Sequence, residues 1–372
     1  MDIFLISEKQ VTLGAALPTP LPADSFLWID STHDEVAADP EGWRNAVLQA
    51  TATQIYDLHL TDVLNLRHPS YFDSTRDYEM LVFRKLALNG GSETDIANAM
   101  TAMPAKNKRA LPQALTKLTT LPVTFFLLDQ ALVTVHGQHS RTVEAARSRL
   151  LAYKAKSEGT THGPRPPVSP KELMLRLLND MVDQYLDLRQ PLTAQIDRWQ
   201  RALLHPTRVF SDWSTLLDAR IELRKLDHLC EEQHDAVQEL RDHFVDTYND
   251  VGTTRANDLL LVRINDVMEH ITRVLNHARR LESSIESAVQ IHFSAMAHRT
   301  SEIMRTLTVI TALFMPLTVI TGIFGMNFDY IPLLKDKNGF WITMGGMAFI
   351  VIALLLVFRR KRYIEDRAAN QR

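Results

Sequence analysis

The residues with the clearest chemical potential lie along one apolar segment near the C-terminus of the 372-residue chain. They recur at intervals of three or four positions, so a helix would bring them onto one face. That face would carry Met304, Leu307, Thr311, Met315, Thr318 and Gly322. Hydroxyl groups and thioethers on one face of an apolar helix could line a pore. The alternative is that the threonine hydroxyls only bond the carbonyls of their own helix.

The apolar segment that holds this face, residues 303–324, is long enough to cross a membrane. A bilayer core needs about 20 apolar residues, and only Arg305, close to one end, is charged here. Pro316 is tolerable in such a helix because neighbouring groups can satisfy the carbonyl that it frees. Residues 340–358 form a second run without any charge. The sequence therefore predicts two membrane spans.

The residues that follow the second span indicate the orientation of the chain. This basic cluster consists of Arg359, Arg360, Lys361 and Arg362. An excess of Lys and Arg marks the cytoplasmic side of a membrane, and two spans put both termini on one side. We therefore expect an integral membrane protein with both termini in the cytoplasm. Residues 359–372 would be a basic tail, and only residues 325–339 would face outward.

Residues 1–156 combine short apolar runs with segments of helical character, which indicates a cytosolic α/β domain. The runs are at 26–29, 81–83 and 123–128. A further run at 131–135 predicts a hairpin that turns around Asp129 and Gln130. Residues 157–170 are rich in Gly and Pro, so we expect a linker or a surface loop there.

From residue 171 onward the pattern is helical, with expected breaks near Pro191, near His205 and Pro206, and at 249–252. Residues 171–250 would form a helical hairpin region, and residues 251–302 a stalk helix. Apolar residues in the second half of the cytosolic part alternate at three and four positions, which makes one seam on a helix. The seam comprises Leu260, Ile264, Val267, Ile271, Val274, Ala278, Leu281, Ile285, Ala288 and His292. An ordinary helix packed on its own domain is the alternative.

Composition excludes several classes of function. The formal net charge is -3, and nucleic-acid binding needs a concentrated basic face, so we expect no nucleic-acid partner. The single cysteine, Cys230, excludes an intrachain disulfide framework and a cysteine-based metal cage. The soluble part has no glycine-rich phosphate loop, nucleophile elbow or metalloprotease motif, so we do not expect an enzyme. A membrane-tethered enzyme or scaffold is nevertheless the alternative from another class.

The first span leads into Phe324-Gly325-Met326-Asn327-Phe328. This loop start resembles the signature of the CorA magnesium-channel family. The matching residues are those at 314–318 and 322–328, the stretch Asp329-Tyr330-Ile331-Pro332, and the basic cluster after the second span. The close similarity covers about residues 300–363. It implies a homopentameric funnel, in which an α/β cytosolic domain and a long-helix stalk lead into two C-terminal transmembrane helices.

The resemblance also assigns roles to residues in this chain. Gly325, Met326 and Asn327 would form the selectivity filter at the outer mouth. The pore would be lined by Thr318, Met315, Thr311, Leu307, Met304 and, at its inner end, Ser301. Magnesium dehydrates reluctantly, so neutral amide and carbonyl oxygens can hold the hydrated ion through its water shell and release it. Rings of Met304 and Leu307 would form a hydrophobic constriction that closes by dewetting.

The implied substrate is Mg2+, with Co2+ and Ni2+ possible through the same filter, and no resident cofactor is expected. Mg2+ is also a possible regulator through Asp266, although a solvated helix face is the alternative for this residue. Ser301 departs from the family, which commonly has asparagine there. Asp329 matches an acidic loop position, but Lys335 and Lys337 follow it. A ZntB-like Zn2+ transporter, possibly proton-coupled, is the second candidate, although its loop signature differs from the one present here.

Overall fold

The structure, a computed structural model, describes residues 1–7, 11–14, 21–22, 24–87, 118–138, 140–153, 165–205, 210, 213–251, 255–326 and 337–360. The chain divides into two compact units, Met1–Glu286 and Ser287–Arg372. The first unit contains a sheet and the helices that cover it. The second contains two apolar helices.

A mixed sheet of seven described strands forms the centre of the first unit. The strands are β1 (Asp2–Ser7), β2 (Val11–Leu13), β3 (Ser25–Thr32), β4 (Tyr71–Ser74), β5 (Glu79–Ala87), β6 (Thr119–Leu128) and β7 (Ala131–His136). Their order is β2-β1-β3-β7-β6-β5-β4, and only β3 and β7 pair in parallel. The predicted hairpin is confirmed, because Leu128 pairs with Ala131 across the turn. The predicted α/β class is confirmed with it.

Three short helices cover one face of the sheet: α1 (His33–Ala38), α2 (Pro40–Thr51) and α3 (Asp57–Leu64). Capping residues in the local sequence define the starts of α1 and α2. Thr32 and Glu35 form a reciprocal capping box at α1, and Asp39 accepts a hydrogen bond from the Gly42 amide at α2. The side chains that these helices bury form one apolar cluster with those of the strands, including Val36, Trp43, Val63, Leu27 and Phe126.

The remaining helices are α4 (Arg141–Tyr153), α5 (Pro170–Leu203), α6 (Trp213–Val251), α7 (Arg255–Phe324) and α8 (Gly339–Arg360). The expected breaks near His205 and at 249–252 are confirmed, since α5 ends at Leu203 and α6 at Val251. The expected break near Pro191 is wrong, because α5 continues through that position. Leu192 and Ile196 are buried there, and tertiary packing can sustain a helix against the lost backbone bond of a proline.

The part of α7 in the first unit buries most of its predicted seam against its own chain. Ile264, Val267, Ile271 and Val274 are all nearly inaccessible to solvent. Polar contacts run alongside: Gln200 on α5 donates to the Ser284 carbonyl at 3.0 Å. On α6, Asp227 accepts from Arg279 and Glu282 of α7 accepts from Arg224, at 2.8 and 3.0 Å. The ordinary-helix alternative therefore holds for this stretch.

Among the described residues of the first unit, Lys85 on β5 is a buried cation. The Lys85 side chain is 7% exposed, and its Nζ donates a hydrogen bond to Ser140 Oγ at 2.9 Å. Burial lowers the pKa of Lys85 from 10.5 to about 8, and nearby Glu144 offsets only part of that effect. The ammonium form is thus held in the fold at a cost in stability.

This cost predicts a pH dependence of stability. Below pH 8 both folded and unfolded chains carry the protonated lysine, and the folded state bears the whole cost. Between pH 8 and 10.5 only the unfolded chain retains this proton, so the contribution of Lys85 to the free energy of unfolding should rise with pH, by up to about 3 kcal/mol. Cys230 acts in the opposite direction above pH 9, because burial raises the pKa of its thiol to about 12. Comparing the unfolding of wild type and Lys85→Met in detergent at pH 7.5 and pH 10 measures this rise, because the other titrating groups are common to both proteins.

The Lys85→Met variant should lack this rise and be more stable than wild type at pH 7.5. Lys225→Met is the control, because Lys225 is exposed on α6, where its ammonium pairs with the buried carboxylate of Glu222. It should keep the wild-type pH dependence. An identical change in the free energy of unfolding with pH in wild type and Lys85→Met would contradict the assignment.

Candidate metal-ion pathway

The second unit consists of the end of α7 and the whole of α8, and both helices are apolar and unburied. Their most apolar 18-residue stretches have mean hydropathies of 2.1 and 2.4. Only 6% and 0% of these stretches are buried within the chain. The core helix of a soluble protein would be mostly buried, so this combination favours two membrane spans.

One face of α7 lies towards α8. Ile320 and Phe324 of α7 share a groove of about 430 Å³ with Phe340 and Met344 of α8. Val309, on the same face, is 9% exposed. With a rotation of about 100° per residue, Ile320 lies about 160° around the helix from Met304. α8 therefore packs opposite the face that carries the predicted pore residues.

The predicted pore residues all lie exposed on this free face of α7. They are Ser301, Met304, Leu307, Thr311, Met315 and Thr318. Met304 is 57% exposed, Leu307 55% and Met315 67%. The two spans of one chain leave this face uncovered among the described residues, which is what a pathway shared by several copies would require.

The threonines of the free face bond their own helix, as the alternative interpretation expected. Thr311 Oγ1 donates to the Leu307 carbonyl and Thr318 Oγ1 to the Phe314 carbonyl, both at 2.9 Å. This bond uses the single proton of the hydroxyl, while the oxygen keeps a free lone pair. The two interpretations are therefore compatible, because a back-bonded threonine can still present an acceptor to a pathway.

The predicted filter begins at the end of α7, where the structure describes Gly325 and Met326. The Gly325 amide donates to the Thr321 carbonyl at 2.9 Å. A Cβ on Gly325 would lie 3.2 Å from that carbonyl oxygen, so the close approach of the backbone favours glycine. Met326 is 50% exposed. Asn327 and Asp329 lie outside the described residues.

The basic cluster is described only in part. Arg359 and Arg360 occupy the last turn of α8, where cationic side chains interact favourably with the helix dipole. Lys361 and Arg362 lie outside the described residues.

Asp266, the predicted regulatory metal ligand, lies in the first unit with basic neighbours. Its carboxylate is 3.7 Å from Nε2 of His270, whose Nδ1 is 3.0 Å from Asp183. The recess beside it, of about 150 Å³, is also lined by Arg149 and Arg263. Across the described ranges, no group of three or more His, Cys, Asp or Glu side chains could hold a metal ion. The surroundings of Asp266 in a single chain therefore do not fit a complete magnesium site.

Sequence reasoning missed one polar residue on the free face. Thr308 is exposed, lies next to Leu307, and bonds its own helix in the same way as Thr311. The available signal was the spacing, because Met304, Thr308, Thr311, Met315 and Thr318 alternate regularly at four and three positions.

Comparison with known proteins identifies the family. The family described as CorA-like Mg2+ transporter protein matches residues 49–360. The cobalt/magnesium transport protein CorA of Thermotoga maritima is 26% identical over 194 residues, which cover 52% of this chain and 52% of that relative. The match thus spans about half the length of the relative.

Two solved structures have the same fold over nearly the whole chain. The CorA magnesium transporter of Methanocaldococcus jannaschii has a TM-score of 0.63 and 17% identity, and covers 98% of this chain and 99% of its own. The full-length CmaX protein has a TM-score of 0.64 and 18% identity, with 97% of each chain covered. With the family match over most of the sequence, the α/β unit, the long helix and the two apolar C-terminal helices make this chain a member of the CorA-like Mg2+ transporter family.

Proposed function

We propose that this chain assembles as a homopentamer that conducts Mg2+, with Co2+ and Ni2+ as further substrates, across the bacterial inner membrane. The observation that carries the proposal is the free face of α7, which runs from Ser301 to Gly322 on the side opposite the groove shared with α8. Both termini would lie in the cytoplasm, as the arginines that end α8 suggest.

A two-span chain cannot enclose a pathway alone, so the free face requires other copies. Polar groups within a membrane segment are costly unless they face a cavity or a partner. Thr311 and Thr318 are exposed in the single chain. A ring of identical α7 helices would turn these faces toward one axis and leave α8 on the outside.

The chemistry of the free face suits a hydrated cation. Water molecules bound to a metal ion direct their hydrogens outward, so the surface around them must accept hydrogen bonds. The hydroxyls of Thr311 and Thr318 already donate their hydrogen bonds to carbonyls of the helix. Their oxygens therefore remain as hydrogen-bond acceptors toward the axis. An anion would meet no donor from these groups.

The outer and inner ends of the pathway have different proposed roles. Gly325, Met326 and Asn327 would select the hydrated ion through neutral oxygens. Rings of Met304 and Leu307 would close the pathway by dewetting, and Ser301 would lie at its inner entrance. Asp329 would contribute to the field at the outer mouth.

The zinc alternative has no specific support in the described part of the chain. His277 contacts Thr193 at 3.3 Å and His270 contacts Asp183 at 3.0 Å, so each histidine is engaged in a contact between helices. Burial lowers the pKa of His277. Zinc ligands would have to cluster, and neither histidine belongs to a described cluster that could hold a metal.

The main prediction concerns the filter amide. Wild-type protein in proteoliposomes should carry Mg2+, and Asn327→Ala should lower the initial rate at least about tenfold, because the filter loses a ring of neutral oxygen ligands. Asn338→Ala is the matched control, since it removes the same group just before α8 and should keep the wild-type rate. Mg2+ entry is followed with an enclosed fluorescent indicator.

Substrate choice is tested in the same vesicles with Mg2+, Co2+, Ni2+ and Zn2+, with and without a pH gradient. Wild type that carries none of these ions, or an Asn327→Ala rate equal to wild type, would contradict the proposal. Zinc transport that exceeds magnesium transport and depends on the pH gradient would favour the second candidate.

The regulatory prediction for Asp266 has its own measurement. Asp266→Asn should weaken the inhibition of flux by Mg2+ added on the cytoplasmic side, if the exposed carboxylate contributes to regulation through ligands outside its own described surroundings. Asp258→Asn, which removes an exposed carboxylate in the first turn of α7, is the control. An unchanged Mg2+ dose response for Asp266→Asn would exclude the role.

A further inference from the structure

Thr308 lies closer to the centre of the free face than Leu307 does. With a rotation of about 100° per residue, Thr308 is about 40° from Met304 on one side, and Leu307 is about 60° away on the other. Thr308 continues an alternation of three and four positions along the whole face. The members are Ser301, Met304, Thr308, Thr311, Met315, Thr318 and Gly322.

We propose that Thr308 lines the ion pathway and forms, with Thr311, a double ring of hydroxyl oxygens that holds a hydrated divalent cation in the inner half of the membrane. This inference rests on the proposed function, since it needs several copies of α7 around one axis. It adds a resting position for the ion that is separate from the filter at Gly325, Met326 and Asn327.

The hydroxyl of Thr308 is oriented for this role. Its Oγ1 donates to the Met304 carbonyl at 2.8 Å, and Thr311 Oγ1 donates to the Leu307 carbonyl at 2.9 Å. Neither oxygen retains a proton to donate, so both act as acceptors at the exposed surface of the helix. Two adjacent rings of this kind attract the outward hydrogens of a cation's water shell.

The spacing of the two rings matches the size of such a shell. Three residues of helix separate them by about 4.5 Å along the axis. A magnesium ion lies about 2.1 Å from its waters, and each water lies about 2.8 Å from the hydroxyl that accepts its hydrogen bond. An ion midway between the rings can therefore share its water ligands between Thr308 and Thr311.

Thr308 also changes the expected hydrophobic constriction. A constriction closes by dewetting when its wall offers no polar group to water. The hydroxyl of Thr308 stands between the levels of Met304 and Thr311 and next to Leu307. Water can thus remain hydrogen-bonded beside Leu307, so the apolar part of the pathway is confined to the level of Met304.

The competing explanation is that the Thr308 hydroxyl only satisfies its own hydrogen-bonding need within the membrane. Thr306 is an example of a threonine for which this explanation suffices. Thr306 Oγ1 donates to the Glu302 carbonyl at 2.9 Å, and this residue is also exposed. It lies about 160° around the helix from Thr308, on the side where α8 packs. The two threonines share residue type, helix and back-bond, and differ in the direction that they face.

The test compares Thr308→Val with Thr306→Val in Mg2+ flux into proteoliposomes. Each substitution removes one hydroxyl and its back-bond with little change of shape. Thr308→Val should lower the initial rate at least about threefold, because the ring loses its acceptors for the water shell of the ion, and should raise the half-saturating Mg2+ concentration. Thr306→Val should match wild type, and Thr308→Ser, which keeps the hydroxyl, should restore the rate.

Equal rates for Thr308→Val and Thr306→Val in vesicles where wild type conducts Mg2+ would overturn the inference while leaving the proposed function intact. Wild type that conducts no divalent cation would overturn both. Where Thr308→Val assembles poorly, Thr308→Ala removes the same hydroxyl without branching. A rate for that variant equal to wild type would likewise overturn the inference.

Discussion

The membrane leaves no unpaired polar group without a cost, and α7 meets this constraint inside its own backbone. Five threonine hydroxyls of the span each donate a hydrogen bond to a carbonyl of the same helix: those of Thr306, Thr308, Thr311, Thr318 and Thr321. The helix can therefore bring hydroxyl oxygens into the bilayer without a free donor. The result is a surface that only accepts hydrogen bonds, which suits cations in their water shells.

The two sides of α7 in the second unit differ, because one side faces α8 and the other carries this acceptor surface. The face towards α8 carries Val309, Ile320 and Phe324, and the alternation from Ser301 to Gly322 occupies the other side. Such a unit is incomplete on its own, because its polar face would otherwise meet lipid. In the first unit, by contrast, α7 buries its apolar seam against α5 and α6 of its own chain, so this seam is not available to another copy.

The sequence predicted the parts of the fold that local pattern determines. Buried strands such as β3 read as continuous apolar runs, and the β6–β7 hairpin was visible because two such runs flank Asp129 and Gln130. The predicted helix break at Pro191 was wrong, because the burial of Leu192 and Ile196 outweighs the tendency of proline to end a helix. Thr308 was missed because two residues could follow Met304 on the same helix face: Leu307 lies three positions further on and Thr308 four. The spacing alone does not choose between them. Arg263 lies one turn from Asp266 on α7 itself, whereas Arg149 comes from α4 and only the folded unit brings it beside Asp266.

The central claim is that the free face of α7 borders water while the rest of the span does not, and cysteine modification at Met315 tests it most directly. Met315 and Ile310 are 67% and 48% exposed, and they lie about 140° apart around the helix. The native Cys230 is buried and should not react. A positively charged, water-soluble thiol reagent should stop Mg2+ flux through Met315→Cys and leave Ile310→Cys unaffected. Equal inhibition of both variants, or inhibition of Ile310→Cys alone, would contradict the account.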